Sequence, residues 1–440
     1  MKSAKVPKEL WRIIGGKMLK KLVLIAFCLF VAVGCGRKES DKGKVTIRFS
    51  NAETVVDQIK IMKEITAEFE KENPDIKVKL EWGVRPEKIL TELAAGTPPD
   101  VFMWWMGLDD LKERGALYPM GEYVKKYKID LSKYFKCIVD QYTYNGELYA
   151  FPLQLKTLCL VYNKDMFDKN NVAYPNEKWT WDDYLDAATK LTAKKTEGGV
   201  RKQFGSLLPP GDQWIMLNGG NIIDVKNRKC VIDSPQAKEA LEFLLKLNTA
   251  AAPSQAELSA FTGKGGSEPF LSGMVAMVPA PTWMLSSLAY IKNFKWAVAP
   301  IPKPPKRKIT YMFDDAGLVL AKDSKHPEEA FRFISYYCGK KGMEIFARGR
   351  NGIPVYKEIA YSTFVTPPPE GLKYYLEAAE KATVPLNPRI KNYSEMRSSY
   401  SRNWTLALLG KKDLDAALKD IKSDIDKKLL SIKEDSAKKK

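Results

Sequence analysis

The chain has 440 residues, more than one hydrophobic core usually serves, and its 45% hydrophobic content provides material for two. A formal net charge of +18 raises the question of a nucleic-acid partner, but the lysines are scattered beside acidic residues, as on solvated helix faces. One histidine, together with cysteines that lack a CxxC spacing, gives no support to a zinc or thiol-redox site, so we expect no metal and no cofactor.

The sequence predicts an export signal near the start of the chain. Two lysines precede the apolar run Leu22–Val33, which is too short for a transmembrane helix of about 20 residues but suits a secretory signal. The run ends in Ala32-Val33-Gly34-Cys35, which resembles a bacterial lipobox except that Ala32 stands where leucine is usual. The resemblance implies lipidation of Cys35, with an ordinary signal peptide as the alternative. An exported protein is not expected to bind nucleic acid.

The signal peptide is assigned to residues 1–34, and translation starts at Met1 or, as we hypothesise, at Met18. Without residues 1–34 the net charge is +12, from 64 basic and 52 acidic residues. Residues 35–44 then comprise the lipidated cysteine and a flexible tether rich in Gly, Lys and Ser.

The first part of the body alternates strands and helices. Apolar periodicity predicts strands at 45–49, 76–82 and 101–105, with helices at 57–71 and 86–95 between them. This order favours a mostly parallel α/β sheet, in which ligands bind where the strands end.

The stretch 145–171 is the predicted passage from one such pattern into a second. It contains a turn at Asn145-Gly146, an apolar crossing segment that ends at Pro152, and a buried strand at 157–162. We therefore expect two lobes, with the functional site between them.

The rest of the chain supplies the second pattern. Thr180 and Asp183 form a capping-box pattern at a helix start, and Ser234-Pro235 begins another helix. Strands are predicted at 274–278, 296–301 and 318–321, and a helix at Pro327. Further crossings are expected at 302–305 and 351–354, and the remainder is predicted to be helical.

Four cysteines remain beyond Cys35, namely Cys137, Cys159, Cys230 and Cys338. An exported protein can form disulfides, but the sequence does not show whether any of the four are paired. Cys159 and Cys338 lie in apolar runs and are expected to be buried.

Several segments in order carry a family resemblance: ELYAFP, LVYNKDMFDKNNVAYP, WTWDDY, FLSGMVAM with APTW, AGLVLAKDSKHPEEAFRFISYYCG and GRNGIPV. Together they resemble the family 1 extracellular solute-binding proteins, the sugar-binding components of bacterial ABC importers related to maltose-binding protein. The resemblance implies an α/β fold of type II with two lobes joined by about three hinge crossings. It assigns 45–153 plus 302–350 to the N-terminal lobe and 154–301 plus 351–440 to the C-terminal lobe.

The same resemblance implies a set of ligand-binding residues in the loops that the family uses. These are Asn51, Glu53, Trp104, Trp105, Asp109, Gln154, Trp214, Trp283, Asp314 and Asp315. Indole rings suit the apolar face of a sugar, and carboxylates and amides suit its hydroxyls. Adjacent residues near a strand end face opposite ways, so either Trp104 or Trp105 faces the cleft and the other the core. For Asp314 and Asp315, a capping or turn role is the alternative.

The sequence therefore predicts a monomeric, lipid-anchored binding protein on the outer face of the cytoplasmic membrane, in a periplasm or at a cell surface. It is expected to capture a carbohydrate, such as an oligosaccharide, and deliver it to the permease subunits of an ABC transporter. An enzyme is not expected, although a secreted carbohydrate-active enzyme with Asp314 and Glu53 as paired carboxylates is one alternative. The others are a sensor subunit that presents its ligand to a receptor, and an acidic sugar or phosphorylated polyol as the ligand.

Overall fold

The computed structural model describes residues 43–193, 201–254, 257–258 and 268–438. The strands in these ranges are β1 (Val45–Ser50), β2 (Ile76–Glu81), β3 (Val101–Trp104), β4 (Thr143–Tyr144), β5 (Glu147–Leu148), β6 (Phe151–Lys156), β7 (Leu158–Asn163), β8 (Phe204–Ser206), β9 (Ile223–Asp224), β10 (Lys229–Cys230), β11 (Val275–Pro281), β12 (Trp296–Ala299), β13 (Tyr311–Leu320), β14 (Ile353–Pro354) and β15 (Ala382–Pro385). The predicted signal peptide, Cys35 and most of the tether lie outside the described residues.

The helices alternate with the strands in both halves of the chain. They are α1 (Val56–Glu72), α2 (Pro86–Ala94), α3 (Asp109–Glu113), α4 (Gly121–Lys126), α5 (Lys136–Tyr142), α6 (Lys164–Lys169), α7 (Trp181–Lys190), α8 (Gly211–Leu217), α9 (Pro235–Ala250), α10 (Glu268–Leu271), α11 (Leu285–Leu288), α12 (Pro327–Tyr337), α13 (Lys340–Gly349), α14 (Lys357–Ile359), α15 (Lys373–Lys381), α16 (Tyr393–Leu408) and α17 (Leu414–Lys438). In the part of the chain that the structure describes, none of them is both long and apolar enough to cross a membrane.

The larger of two main sheets has the order β14-β6-β13-β3-β1-β2, and β15 also pairs with β13. The strands β1 and β3 are parallel, as predicted. However, β13 enters from late in the chain and runs antiparallel to both β3 and β6, so the sheet is mixed rather than mostly parallel. This pairing places Asp314 opposite Lys156 and Gly317 opposite Trp104.

The smaller main sheet has the order β12-β7-β11-β8. The strands β6 and β7 are separated by Thr157 alone, yet β6 belongs to the larger sheet and β7 to the smaller one. The predicted strand at 157–162 is thus confirmed as β7, one residue later. The segment interpreted as a short crossing is instead the start of β6, and the chain passes between the sheets at Thr157.

Each main sheet is covered by helices that bury aromatic side chains. On the larger sheet, the Phe333 ring of α12 lies 5.2 Å from the rings of both Phe49 and Phe69. On the smaller sheet's side, Trp181 stacks on Phe243 at 4.9 Å and on Trp214 at 6.1 Å. Burial of each such ring contributes roughly 1.5–3 kcal/mol to the free energy of unfolding. Each half of the fold thus has a hydrophobic core of its own.

The predicted helix starts are confirmed in atomic detail. The N–H of Asp183 donates to Thr180 Oγ1, and its carboxylate accepts from the N–H of Thr180, which completes the capping box of α7. The hydroxyl of Ser234 caps α9 by accepting from the N–H of Ala237, with Pro235 in the first turn. Cys137, Cys159, Cys230 and Cys338 are free thiols, and Cys159 and Cys338 are buried as predicted.

Candidate functional site

A cavity of about 660 Å³ collects side chains from both halves of the fold. One wall contains Trp105, directly after β3, and Asp314 on β13. The facing wall is formed by residues 208–212, after β8, and by one side of α16. The aromatic members of the lining are Trp105, Tyr393, Tyr400 and Trp404, and the charged members are Asp212, Asp314 and Arg397.

The two adjacent tryptophans after β3 have different surroundings. Trp104 is 4% exposed, and its indole Nε1 donates to the carbonyl of Gly107 at 2.7 Å. Its ring also meets Phe102 edge to face. Trp105 is only partly buried and lines the cavity. Strand alternation thus sends Trp104 into the core and leaves Trp105 facing the open space.

An ion pair joins the two parts of the facing wall. The guanidinium of Arg397 on α16 lies 2.8 Å from the carboxylate of Asp212, which is buried. Burial, the largest single influence, lowers the pKa of Arg397, but the charge and hydrogen bond of Asp212, together with Tyr393 and Asp314, outweigh it, so the pKa is raised above its usual value. Arg397 is therefore held charged, and its side chain remains partly accessible from the cavity.

Close packing at the start of α8 depends on Gly211. A Cβ atom at this position would lie 2.3 Å from the hydroxyl of Tyr400 and 3.0 Å from Trp404 Nε1. The hydroxyl of Tyr400 is buried without a hydrogen-bond partner among the described residues. Only a glycine lets α8 approach α16 this closely, which keeps Asp212 within reach of Arg397.

An acidic pair on β13, Asp314 and Asp315, lies at the wall that contains Trp105. Asp314 accepts from Lys156 at 3.5 Å and from the amide of Asn387 at 3.3 Å. The next residue, Asp315, is buried, and Tyr142 donates its hydroxyl to the carboxylate at 2.8 Å. Burial, reinforced by the charge of Asp314, raises the pKa of Asp315 to about 7. Only Asp314 of this pair lines the cavity.

A second group of predicted residues lies around a much smaller cavity of about 20 Å³. Asn51 accepts from the N–H of Glu53 at 2.8 Å, and Glu53 accepts from the amide of Asn351 at 2.6 Å. Gln154 lines the same cavity, and its buried Oε1 has no hydrogen-bond partner among the described residues. Glu53 and Asp314 thus line different cavities, which disfavours the paired-carboxylate alternative of the sequence analysis.

The remaining predicted residues lie apart from both cavities. Asp109 accepts from Tyr144 at 3.3 Å, and burial raises its pKa despite this hydrogen bond. Trp214 is fully buried in the aromatic core of the smaller sheet's side. Trp283 lies in the 3-10 turn Thr282–Met284 and is 46% exposed.

The facing wall of the 660 Å³ cavity was not predicted from the sequence. No role was predicted for 209–212, and α16 was predicted only as part of a helical remainder. A signal for α16 was present, since Tyr393, Arg397, Tyr400 and Trp404 recur at intervals of three and four residues on one helix face. Such a stripe mixes aromatic rings with a cation, which is unusual for a face that only packs on a core.

A larger groove of about 1070 Å³ lies between α5, residues 219–225 and β15. Its aromatic lining consists of Phe135 and Phe313 alone. The 660 Å³ cavity is lined by four aromatic rings and three charged groups. Flat rings combined with a few polar groups are typical of a site that binds a specific organic ligand. We therefore take the 660 Å³ cavity as the candidate site. Neither cavity resembles a metal site, because the described residues contain no cluster of three or more His, Cys, Asp or Glu side chains suited to a metal ion.

Two sheet-based halves with an aromatic and polar cavity at their junction are the arrangement of a two-lobe α/β binding protein. The sequence profile of the bacterial extracellular solute-binding proteins matches residues 53–344, and the chain belongs to that family. Its members are exported, non-enzymatic binding proteins. The family and the fold class predicted from the sequence are therefore confirmed.

Individual relatives agree with this assignment. A multiple sugar-binding protein from Streptococcus mutans is 24% identical over 74% of this chain and 80% of its own length. A maltodextrin-binding protein from Bacillus subtilis is 25% identical over 77% of this chain and 81% of its own length. The solved structure of an ABC substrate-binding protein from Listeria monocytogenes, in complex with cycloalternan, superposes with a TM-score of 0.77 at 27% identity. That superposition covers 88% of this chain and 99% of the Listeria chain.

Proposed function

We propose that this protein is the substrate-binding subunit of an ABC importer and that it captures a carbohydrate, most simply an oligosaccharide, in the 660 Å³ cavity. The observation that carries the proposal is the composition of the two walls, which present aromatic rings and hydrogen-bonding groups to one space. The sugar and maltodextrin ligands in the names of the relatives support it.

The chemistry of the lining fits a sugar. A pyranose ring has an apolar C–H face and a rim of hydroxyls, and burial of either without a partner is costly. Trp105, which is partly exposed, provides a flat apolar surface, and the largely buried ring of Tyr393 borders the same space. Asp212, Arg397 and Asp314 provide charged acceptors and donors, whose hydrogen bonds to hydroxyls are stronger than neutral ones.

The charges at the cavity favour a neutral sugar over the acidic alternative. Arg397 already has a carboxylate partner in Asp212, and Lys156 has one in Asp314. An anionic ligand would have to compete with these carboxylates and would approach two of them closely, which costs free energy in a partly buried site. The basic net charge of the chain therefore does not by itself indicate an acidic ligand.

Capture is proposed to occur by hinge closure of the two lobes. The lobe boundaries given above, 45–153 plus 302–350 and 154–301 plus 351–440, remain our proposal for the body of each lobe. The sheets themselves change at Thr157, and β14 and β15 pair in the larger sheet, so these strands extend across the proposed boundaries. A ligand that contacts both walls stabilises the closed form by its differential affinity for closed over open. The closed, loaded form is then the one that is delivered to the permease.

Location follows from export. We propose that Cys35 is lipidated and anchors a monomer to the outer face of the cytoplasmic membrane, with residues 36–44 as a tether. Mass spectrometry of the membrane fraction should find an N-terminal peptide that begins at a lipid-modified Cys35. A soluble chain that begins at any other residue would contradict the anchor.

A thermal-shift screen tests the ligand class. The panel is maltotriose, mannotriose and cycloalternan, with trigalacturonic acid as the acidic comparison, and each mixture is analysed afterwards for products. We expect a neutral saccharide to raise the melting temperature, as any ligand of the native state must, and to be recovered intact. A shift with the acidic sugar alone would refute the neutral assignment, and turnover of any sugar would favour the enzyme alternative.

A further inference from the structure

The segment 386–392, which we call the strap, joins the two halves of the fold. It leaves β15, a strand of the larger sheet, and leads into α16, whose buried side chains belong to the core of the smaller sheet's side. The strap is held against the half that contains the larger sheet at several points along its length. The amide of Gln141 donates to the carbonyl of Asn387 at 3.0 Å, Lys391 lies 3.0 Å from Glu113, and the N–H of Asn392 donates to Asp110 at 3.3 Å.

The side chain of Asn387 points from the strap to the candidate site. Its Nδ2 donates to the carbonyl oxygen of Trp105 at 2.9 Å and to the carboxylate of Asp314 at 3.3 Å. Trp105 is 282 positions away in sequence and Asp314 is 73 positions away, so one amide joins three distant segments. All three residues line the 660 Å³ cavity.

We propose that Asn387 is a positioning residue for ligand capture, whose amide holds the Trp105 backbone and the Asp314 carboxylate in the geometry that binds ligand. This inference rests on the proposed binding function of the cavity. Both groups that meet the amide are acceptors, so the position requires two donor hydrogens from one side chain, which an asparagine amide provides. Arg397 follows Asn387 by ten residues along the chain. The strap therefore also helps to set the position of α16, which forms part of the facing wall.

A substitution that keeps the size of the Asn387 side chain distinguishes a role in hydrogen bonding from a role in packing alone. In Asn387→Asp the ionised carboxylate has the size of the amide but no donor, and it faces the carbonyl of Trp105 and the charge of Asp314. At low pH the neighbouring charge favours the protonated acid, which regains one donor. Asn387→Ala removes both donors at every pH. Asn170→Asp is the matched control, because the amide of Asn170 also donates to a backbone carbonyl, that of Met166 at 2.8 Å, but Asn170 lies directly after α6 and outside the cavity lining.

Calorimetric titrations with maltotriose, or with the saccharide that gives the largest thermal shift, are made at pH 8 and pH 5. Each dissociation constant is divided by that of the wild type at the same pH. We expect Asn387→Asp to bind about ten- to a hundred-fold more weakly at pH 8 and to regain part of the loss at pH 5. Asn387→Ala should show an equal loss at both values, and Asn170→Asp none. Wild-type affinity of Asn387→Asp at pH 8, or an equal loss at both pH values, would overturn the proposal.

Hydrogen exchange of the unliganded protein gives a test that needs no ligand. Peptides that cover 101–107 and 386–392 should exchange faster in Asn387→Asp than in the wild type at pH 8, while Asn170→Asp should leave them unchanged. Unchanged exchange in Asn387→Asp would refute the positioning role. If the wild type bound no saccharide but these peptides loosened, the proposed function would fail and the role of Asn387 in holding Trp105 would stand.

Discussion

Replacement of Asp315 with asparagine removes an ionisable group that β13 holds in the protein interior. The carboxyl accepts one hydrogen bond, from Tyr142, and lies near the charges of Asp314, Lys156 and Arg389. Burial, followed by the repulsion from Asp314, raises the pKa of Asp315 from an ordinary 3.8 to about 7. The folded protein therefore binds this proton more tightly than the unfolded chain does.

The sign and size of the effect follow from this difference. A raised carboxyl pKa means that the stability contributed by the protonated form is complete below about pH 4 and is lost as the pH rises to about 7. Each unit corresponds to about 1.4 kcal/mol, so the loss between pH 5 and pH 8 is about 3 kcal/mol. Asparagine keeps the size of the side chain and can accept from Tyr142, but it does not ionise. The variant should therefore escape this loss.

Urea denaturation of the wild type and Asp315→Asn at pH 5, 6, 7 and 8 measures the effect as a difference in the free energy of unfolding. The difference should shift by about 3 kcal/mol in favour of the variant between pH 5 and pH 8. Asp323→Asn is a suitable control, because Asp323 is exposed, and its difference from the wild type should not change over this range. A difference for Asp315→Asn that is constant with pH, or that moves against the variant, would refute the reasoning.

Three further substitutions test the packing around the site by urea denaturation at pH 7. Arg397→Gln leaves Asp212 buried without its partner and should cost about 3 kcal/mol, most of which Asp212→Asn in the same chain should restore; an equal cost in the double variant would argue against the ion pair. Gly211→Ala should cost about 1–3 kcal/mol through its clash with Tyr400, and Tyr400→Phe should relieve part of it, whereas no relief would place the strain elsewhere. Thr180→Ala should cost about 1 kcal/mol by removing the cap of α7, and a neutral change would show that the cap contributes little.

Local sequence signals predicted the elements whose formation depends on nearby residues. The helix α1 has apolar residues at helical spacing, and it was found within one residue of its observed bounds. The capping box of α7 located the start of that helix. The strands β1 to β3 have apolar residues at strand spacing and short connections, and these also were found. In each case the pattern and the structure concern the same short segment.

The strands β6 and β13 were harder to predict, because their extent depends on pairing with strands that are distant in the sequence. Asp314, Asp315 and Gly317 are poor strand formers, so the sequence suggested a loop there, yet β13 begins at Tyr311. Pairing with β6 on one side and β3 on the other overrides that preference. Pro152 likewise suggested the end of a segment, but it lies opposite Gly317, next to a shift in register where a proline is tolerated in a sheet.

Only part of the candidate site was predicted, because the rest of it depends on contacts between distant segments. Trp105 and Asp314 follow from the resemblance, because loops at strand ends are where the family binds ligand. Asp212, Asn387 and Arg397 were missed, since their roles depend on contacts between segments up to 282 residues apart. No local pattern shows that a loop after one strand meets a helix near the end of the chain.

The central claim is that the 660 Å³ cavity binds a carbohydrate, and one set of calorimetric titrations with maltotriose and the other saccharides of the panel tests it directly. The wild type, Trp105→Ala and Lys357→Ala are compared, because Trp105 lines this cavity and Lys357 lines the larger groove. We predict one bound saccharide per wild-type chain, a loss of about tenfold or more in affinity for Trp105→Ala, and no change for Lys357→Ala. Absence of binding by the wild type, or a loss confined to Lys357→Ala, would contradict the account.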